Sequence, residues 1–481
     1  MTKPFAKVRS SAIDGRAQNP YYRKAQLKQL HATLADNAAQ IQEAIKKDTN
    51  NRPVEVKIEY WLALQCIADA FSSINPEKEL EEEYAIANGH DDANNRGPVG
   101  IVVIEPSSHT FLYSLIAALV PAIAAGNCVI VQTRNSLLET PNLVLGLIEK
   151  SLDQDIFEIT SQEATAAAIN HPHIRVLQNG STEPALKDNL VSDSKKPVVA
   201  FVERDADIQA AAKALVGARF GLQGRSPYAP DVVLVNEWVK KDLLRALVQQ
   251  STDLIAKPND SRGKGKALKS ELLRQAEKDG STHAISSGPD GAILEVENRQ
   301  STLLKQKVTE SYLIVHSVTS MDDAIDASRS IGALASAYVF TTPGMAKYLC
   351  QFVDADISFI NQIPTKLMYS PIAPEGHPPQ PNHSGLYHES LFSQSKPKYL
   401  TNSNLENKLA NFSNATLSHQ LSAIDQEATK KLPEIARLKK AGGIGFFNQG
   451  IVTGLVLILT TFVSGTGFMG YYAVKYWRTR V

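Results

Sequence analysis

PVGIVVIEPSSHTFLYSLIAALVPAIAAGNCVIVQTRN, from Pro98 to Asn135, is the stretch that sets the architecture of this chain. Gly97-Pro98 breaks the helical pattern that precedes it. VGIVVIEP, Val99 to Pro106, is a short run rich in β-branched residues, as expected of a strand covered on both faces. A helix-like segment follows from Phe111 to Ala125, and AGNCVIVQT is a second buried strand. Strand, helix and strand within about thirty-five residues make a βαβ unit, hence a parallel sheet.

The same logic extends outward. In IRVLQNGSTEPALKD, Ile174 to Leu177 reads as a strand and Gly180-Ser181-Thr182 as a turn that could open a helix. Such a turn can hold a phosphate on backbone N–H groups, though alone it is not specific. PVVAFVERDADI is another strand with an acidic exit, DVVLVNEWV and YLIVHSV are further buried strands, and DDAIDAS starts a helix. The fold class is therefore α/β through at least Asn361. Upstream, Leu27, Leu30, Leu34, Ile41 and Ile45 recur at helical spacing, which predicts one long amphipathic helix from Tyr21 to Lys47. A second helix is predicted from Val54 to Phe71. The polar stretch between Lys257 and Gly291 reads as a surface excursion.

The chain has 481 residues, enough for two or three domains. Lys plus Arg and Asp plus Glu number 50 each, so no global field favours nucleic acid. Cys66, Cys128 and Cys350 are too widely spaced for a disulfide framework or a metal-binding motif, and a reducing compartment is the simplest reading. Cys66 and Cys128 read as core filler, Cys350 as packed. The N-terminus, MTKPFAKVRS, lacks the apolar run of a secretory signal and reads as a solvated tail.

After Tyr387 the composition turns to Ser, Asn, Lys and Gln, as in a linker. Asn411-Phe412-Ser413 and Asn414-Ala415-Thr416 match glycosylation sequons that would go unused in the cytosol. The basic segment Lys430 to Lys440 precedes a stretch without charge, Ala441 to Val474. Gly450 to Val474 is long enough to span a bilayer. Lys439-Lys440 on one side and Tyr471, Tyr472, Tyr476, Trp477 and Arg478 on the other suit its interfaces.

The order and spacing of AIAAGN, NGSTEP and DADI (Asp205 to Ile208) resemble the aldehyde dehydrogenase superfamily. The similarity is greatest to the class 3 and fatty aldehyde dehydrogenases, several of which carry a C-terminal anchor, and it covers roughly residues 10 to 395. The resemblance implies a Rossmann-like cofactor domain, a catalytic-type α/β domain, a β arm that makes dimers and a hydrophobic tunnel between the first two. It divides the chain into N-terminal helices and cofactor domain (1–192), catalytic-type domain (193–365), return segment and arm (366–404), linker (405–443) and transmembrane anchor (444–474).

Family chemistry needs a thiolate nucleophile, oxyanion donors, a hydride acceptor and a base. Aligned on Gly224, Pro230 and the following strand, the nucleophile position falls on Pro227, which has neither a thiol nor a backbone N–H. Ser226 beside it reads as a loop hydroxyl. The asparagine that polarises the aldehyde matches Ser108. The glutamate of E-L-G-G-K falls near Asp193, with the register open by two residues because the glycines are absent. For NAD or NADP, Gly180, Ser181 and Thr182 match the cofactor turn, while Ala185 replaces its last glycine. Gln132 stands for the ribose-binding lysine. The glutamate of E-I-F-G-P matches Lys307 or is missing, and P-F-G-G-x-x-x-S-G is reduced to His383 through Gly385. His109 reads as a surface histidine rather than a new base.

These replacements lead us to expect a membrane-anchored aldehyde-dehydrogenase-like protein that does not oxidise aldehydes. The alternatives are NAD(P)-dependent oxidation of fatty or other hydrophobic aldehydes by a rearranged site, and chemistry through Ser226 or bound water. Expected partners are the bilayer and a second chain, in a homodimer or a heterodimer with an active relative. The dimer would use arm strands near Ala85–Asn95 and Lys396–Asn404. The globular part would face the cytosol from the endoplasmic reticulum or, less favoured, the mitochondrial outer membrane.

Overall fold

The computed structural model describes residues 4–180, 189–255, 280, 282–288, 291–380, 386–413, 418–433, 435 and 446–480. The strands are β1 (Arg96–Pro98), β2 (Ile101–Glu105), β3 (Cys128–Gln132), β4 (Phe157–Thr160), β5 (His173–Leu177), β6 (Asn189–Val191) and β7 (Val198–Val202). They continue as β8 (Val232–Asn236), β9 (Thr282–Gly288), β10 (Gly291–Val296), β11 (Tyr312–Val318), β12 (Ser336–Phe340), β13 (Ser358–Ile360) and β14 (Ser393–Ser395).

A parallel five-stranded sheet runs in the order β4-β3-β2-β5-β6. β2 and β3 are buried except at their last residues, Glu105 and Gln132, so polarity is confined to the carboxyl edge. Between them runs the helix Phe111–Ala124, buried at every residue from Leu112 to Ala124. A helix this apolar on all sides must sit between layers. It does so, with the helix Pro53–Ser73 packed against it.

The second sheet has seven strands in the order β13-β12-β7-β8-β11-β10-β9. All its neighbours are parallel except β9, which is antiparallel to β10. β7, β8 and β12 are buried throughout. The segment read as a surface excursion thus supplies an edge strand, β9, whose residues show no apolar alternation. Most of the rest of that excursion lies outside the described residues.

Three further expectations change. The N-terminus read as a solvated tail leads into the helix Ala6–Asp14, with Phe5 and Val8 buried in the core because their apolar side chains are driven out of water. The helix predicted from Tyr21 to Lys47 is two helices, Pro20–Asp36 and Ala38–Thr49. Asn37 leaves helical geometry at the junction, and its side-chain amide donates to Thr33 O at 2.8 Å. Asparagine favours such local bonds over a continuous helix. The arm is also shorter and shifted: β1 pairs antiparallel with β14, and an isolated bridge joins Asp92 to Lys398. The chain before Asp92 forms turns, with Gly89 at φ 80°.

Met1–Thr401 makes one compact unit and Asn402–Val481 another. In the second unit, the segment read as a linker contains two helices, Asn404–Ser413 and Ser418–Ala428. They contact each other, and Lys408 pairs with Glu427 across them. The helix Phe446–Arg478 follows. Its stretch Gln449–Arg478 has 30 residues and contains an 18-residue window with a mean hydropathy of 1.9, long and apolar enough to cross a membrane.

Candidate functional site

The five-stranded sheet reverses its winding between β2 and β5, and the carboxyl ends of those strands flank the crevice where open α/β sheets receive ligands. That crevice is laced together by its own side chains. Gln178 Oε1 accepts from Ser107 N at 2.8 Å, and Asn179 Oδ1 accepts from Ser108 N at 3.4 Å. Asn179 Nδ2 donates to Pro106 O at 2.8 Å. Ser108 is exposed. Gly180 follows with φ 85°, open enough for a close approach, while Ser181, Thr182 and Ala185 lie outside the described residues.

Gln132 ends the neighbouring strand β3. Its Nε2 donates to Glu105 Oε1 at 3.1 Å, and its Oε1 accepts from Ala164 N at 2.8 Å. Arg175 Nη2 donates to the same Glu105 oxygen at 2.8 Å. Both ends of the Gln132 amide are therefore engaged within the protein. The nearby cation is already paired with a carboxylate. These residues do not fit the ribose-binding role that the resemblance assigns to position 132.

The segment from Phe220 to Asp231 leads into β8. Leu222, Gln223 and Gly224 all adopt positive φ, at 48°, 56° and 72°. Two such non-glycine residues in succession are strained and persist only where the surroundings fix them. Here Leu222 N donates to Glu55 Oε1 at 3.0 Å, and Gln223 Nε2 donates to Thr49 O and Asn50 O at 2.9 and 2.7 Å. A Cβ on Gly224 would lie 2.3 Å from Glu310 C and O, so this position also requires glycine sterically.

Beneath the segment lies a buried charge cluster. Arg219 is fully buried and donates to the carbonyls of Gly224, Ala229, Pro230, Val308 and Glu310. It also pairs with Asp231 at 3.1 Å. The Asp231 carboxylate further accepts from Val198 N at 2.7 Å, Val308 N at 2.9 Å and Lys307 Nζ at 3.0 Å. Lys307 Nζ also reaches Pro227 O at 2.5 Å and Lys196 O at 3.1 Å. Burial pulls the Lys307 ammonium below its ordinary range, and the Asp231 carboxylate opposes that shift.

Pro227 itself is half-buried. Ser226 is buried, and its hydroxyl oxygen accepts from Tyr228 N at 3.3 Å, the geometry of a loop hydroxyl. Asp193 is exposed and accepts from Lys195 N at 2.9 Å in a local turn. His383 through Gly385 lie outside the described residues.

His109 differs from the surface residue expected. It is half-buried, and its Nε2 lies 2.8 Å from Met368 O. Burial pushes its imidazole down to about 4, the Met368 bond opposes this, and the Arg225 guanidinium lowers it further. Thr110 Oγ1 donates to Tyr369 O, and Ala373 N donates to Tyr228 Oη at 2.9 Å. The segment 368–373 therefore joins the loop of Ser108 to the loop of Pro227. Sequence reading missed this segment because it works through backbone groups, which carry no residue signature.

Cys66 and Cys128 are buried, and burial pushes each thiol up to about 12. Cys350 is half-buried on the helix Pro343–Phe352, outside the segments that build this site. Glu59 is buried, and burial raises its carboxyl to about 7 although the amides of Leu112 and Tyr113 bond to it.

Comparison with known proteins now places this geometry. The aldehyde dehydrogenase family model matches residues 10–270. Mouse aldehyde dehydrogenase family 3 member B1 is 26% identical over 258 residues, 50% of this chain and 54% of that protein. The 4,4'-diaponeurosporen-aldehyde dehydrogenase of Staphylococcus aureus is 28% identical over 249 residues, 47% of this chain and 52% of that one. The chain thus spans about half the length of the curated relatives it matches. Among solved structures, the substrate-bound state of Staphylococcus aureus AldH superposes with a TM-score of 0.64 at 18% identity, covering 88% of this chain and 98% of that one. The aldehyde dehydrogenase KauB from Pseudomonas aeruginosa gives 0.62 at 17% identity, covering 82% and 87%. The strand order, the buried helix between β2 and β3 and the matched residues together make this chain a member of the aldehyde dehydrogenase family.

Proposed function

We propose that this protein is a membrane-anchored member of the family that does not catalyse thiolate-dependent aldehyde oxidation. One observation carries the reading: at the aligned nucleophile position Pro227 offers only a carbonyl oxygen, and that oxygen is bonded to Lys307. No thiol is available there, and proline has no N–H to stabilise an oxyanion. Among the described residues, no histidine, lysine or carboxylate is bonded to the Ser226 hydroxyl to activate it.

Nicotinamide cofactors serve the family, but the engaged Gln132 and the laced crevice argue for weak NAD or NADP binding in this chain. The retained role is then recognition, of a dimer partner (a second copy or an active relative) or of a hydrophobic ligand. The helix Phe446–Arg478 would anchor the chain with its globular part in the cytosol. Of the two membranes compatible with such an anchor, we favour the endoplasmic reticulum over the mitochondrial outer membrane.

The test is to incubate the full chain, purified in detergent, with a long-chain aldehyde and NAD or NADP and to follow nicotinamide absorbance. No turnover is expected, and Pro227→Cys alone should restore none. Turnover comparable to an ordinary family member would overturn the proposal in favour of a rearranged oxidising site.

A further inference from the structure

We infer that Lys307 is an internal pin that holds the segment 224–231 closed. The segment is thereby a fixed wall of the site rather than a loop that can present a group to a ligand. The inference rests on the reading that this segment performs no covalent chemistry, and it names what the segment does instead.

Two separate stretches converge on the pin, the segment itself and the entry to β7. Lys307 Nζ donates to Pro227 O on the segment itself, to Lys196 O ahead of β7, and to the Asp231 carboxylate at the mouth of β8. The same carboxylate takes the amides of Val198 and Val308. Arg219 closes the other side through the carbonyls of Gly224, Ala229 and Pro230. The segment's outer face is tied as well, since Tyr228 Oη accepts from Ala373 N and Tyr338 Oη donates to Tyr228 O at 2.8 Å.

The charge pattern identifies Lys307 as the element that locks. Arg219 and Asp231 are both essentially without exposed surface and satisfy each other, which already builds the turn. Lys307 adds a second cation to the single carboxylate and spends its remaining bonds on two backbone carbonyls. A buried ammonium is costly unless each donor is used, and all three partners here are acceptors, two on the segment and one at the entry to β7. Removing it takes away the bonds to Pro227 O and Lys196 O while leaving in place the Arg219–Asp231 pair and its bonds to Val198, Val308 and Glu310.

The contact with position 227 is to the backbone, so it survives a change of side chain and can be probed there. In the full chain in detergent, Pro227→Cys places a reporter thiol on the segment. Its alkylation by iodoacetamide, read by peptide mass spectrometry, is compared with that in Pro227→Cys/Lys307→Met. A rise of at least tenfold at the introduced thiol alone is expected, with buried Cys66 and Cys128 remaining slow. Losing a nearby positive charge would by itself lower the thiolate fraction and slow the reaction, so an increase reports opening. Equal rates would overturn the proposal, as would a parallel rise at Cys66 and Cys128, which would make Lys307 a residue of the whole fold.

A second measurement needs no variant. In the unsubstituted chain the amides of Val198 and Val308, which donate to Asp231, should exchange hydrogen as slowly as those of β8. Fast exchange there would also overturn the pin. Aldehyde oxidation by the unsubstituted chain would instead sink the non-catalytic reading, whatever the alkylation rates.

Discussion

The guanidinium of Arg219 lies 3.1 Å from the carboxylate of Asp231, and neither side chain exposes more than 1% of its surface. This pair is the foundation of the segment that carries Pro227. It is compensated on every side by backbone carbonyls and amides.

Breaking it should therefore be severe. Asp231→Ala leaves two buried cations, Arg219 and Lys307, without their carboxylate. A loss of about 3–5 kcal/mol is expected, as for other buried pairs stripped of one partner. Chemical denaturation of the globular unit measures it. A loss below about 1 kcal/mol would mean that water reaches the cluster.

Gly224→Ala tests the turn independently. The new methyl would meet the Glu310 carbonyl at 2.3 Å with the backbone held at φ +72°. Backbone on backbone cannot yield as a flexible side chain would. At least about 2 kcal/mol of destabilisation is expected. The same change at Gly146, where nothing lies within 4 Å, should be neutral or slightly stabilising because alanine favours the helix.

Glu59 makes stability depend on pH. Its carboxyl sits at about 7 in the folded protein against an ordinary 4.5, so the folded state binds this proton more tightly than the unfolded chain. Its contribution is complete below pH 4.5 and is lost as pH rises through about 7. The span is on the order of 3 kcal/mol. Glu59→Gln cannot ionise. Denaturant midpoints should therefore shift progressively in favour of the variant across that window and stay constant above it. A difference between parent and variant that ignores pH would refute the assignment.

Titration calorimetry with NAD and NADP should show no micromolar binding. Gln132→Lys alone should not create it, because Gln178 and Asn179 still hold the amides of Ser107 and Ser108. Micromolar affinity in the parent would show that the crevice opens at little cost.

Deleting residues 444–481 should release a folded protein from membranes, because Met1–Thr401 is a compact unit by itself. A truncated protein that still pelleted with membranes and resisted carbonate extraction would show that the anchor lies elsewhere.

The strands β2, β3, β7 and β8 were legible because each is a β-branched run buried on both faces along nearly its whole length, and such runs have few other readings. β9 was not, since Thr282 to Gly288, with Ala284 and Ile285 side by side rather than alternating, makes its edge pairing through the backbone. The helices within 404–428 were hidden for a related reason. Their apolar residues are few, and only their spacing, as at Leu405 and Leu409, marks them.

By itself the sequence determined the order of buried elements, that position 227 is a proline, and the uncharged stretch near the C-terminus. Each depends on residue type and local period. Only the tertiary structure decided that Lys307 lies against Pro227, 80 residues away, that Gln132 is consumed by Glu105 and Ala164, and that His109 is held by Met368. Those pairings are set by which strands become neighbours. Periodicity records that a face is buried, but it carries no information about which distant group covers it.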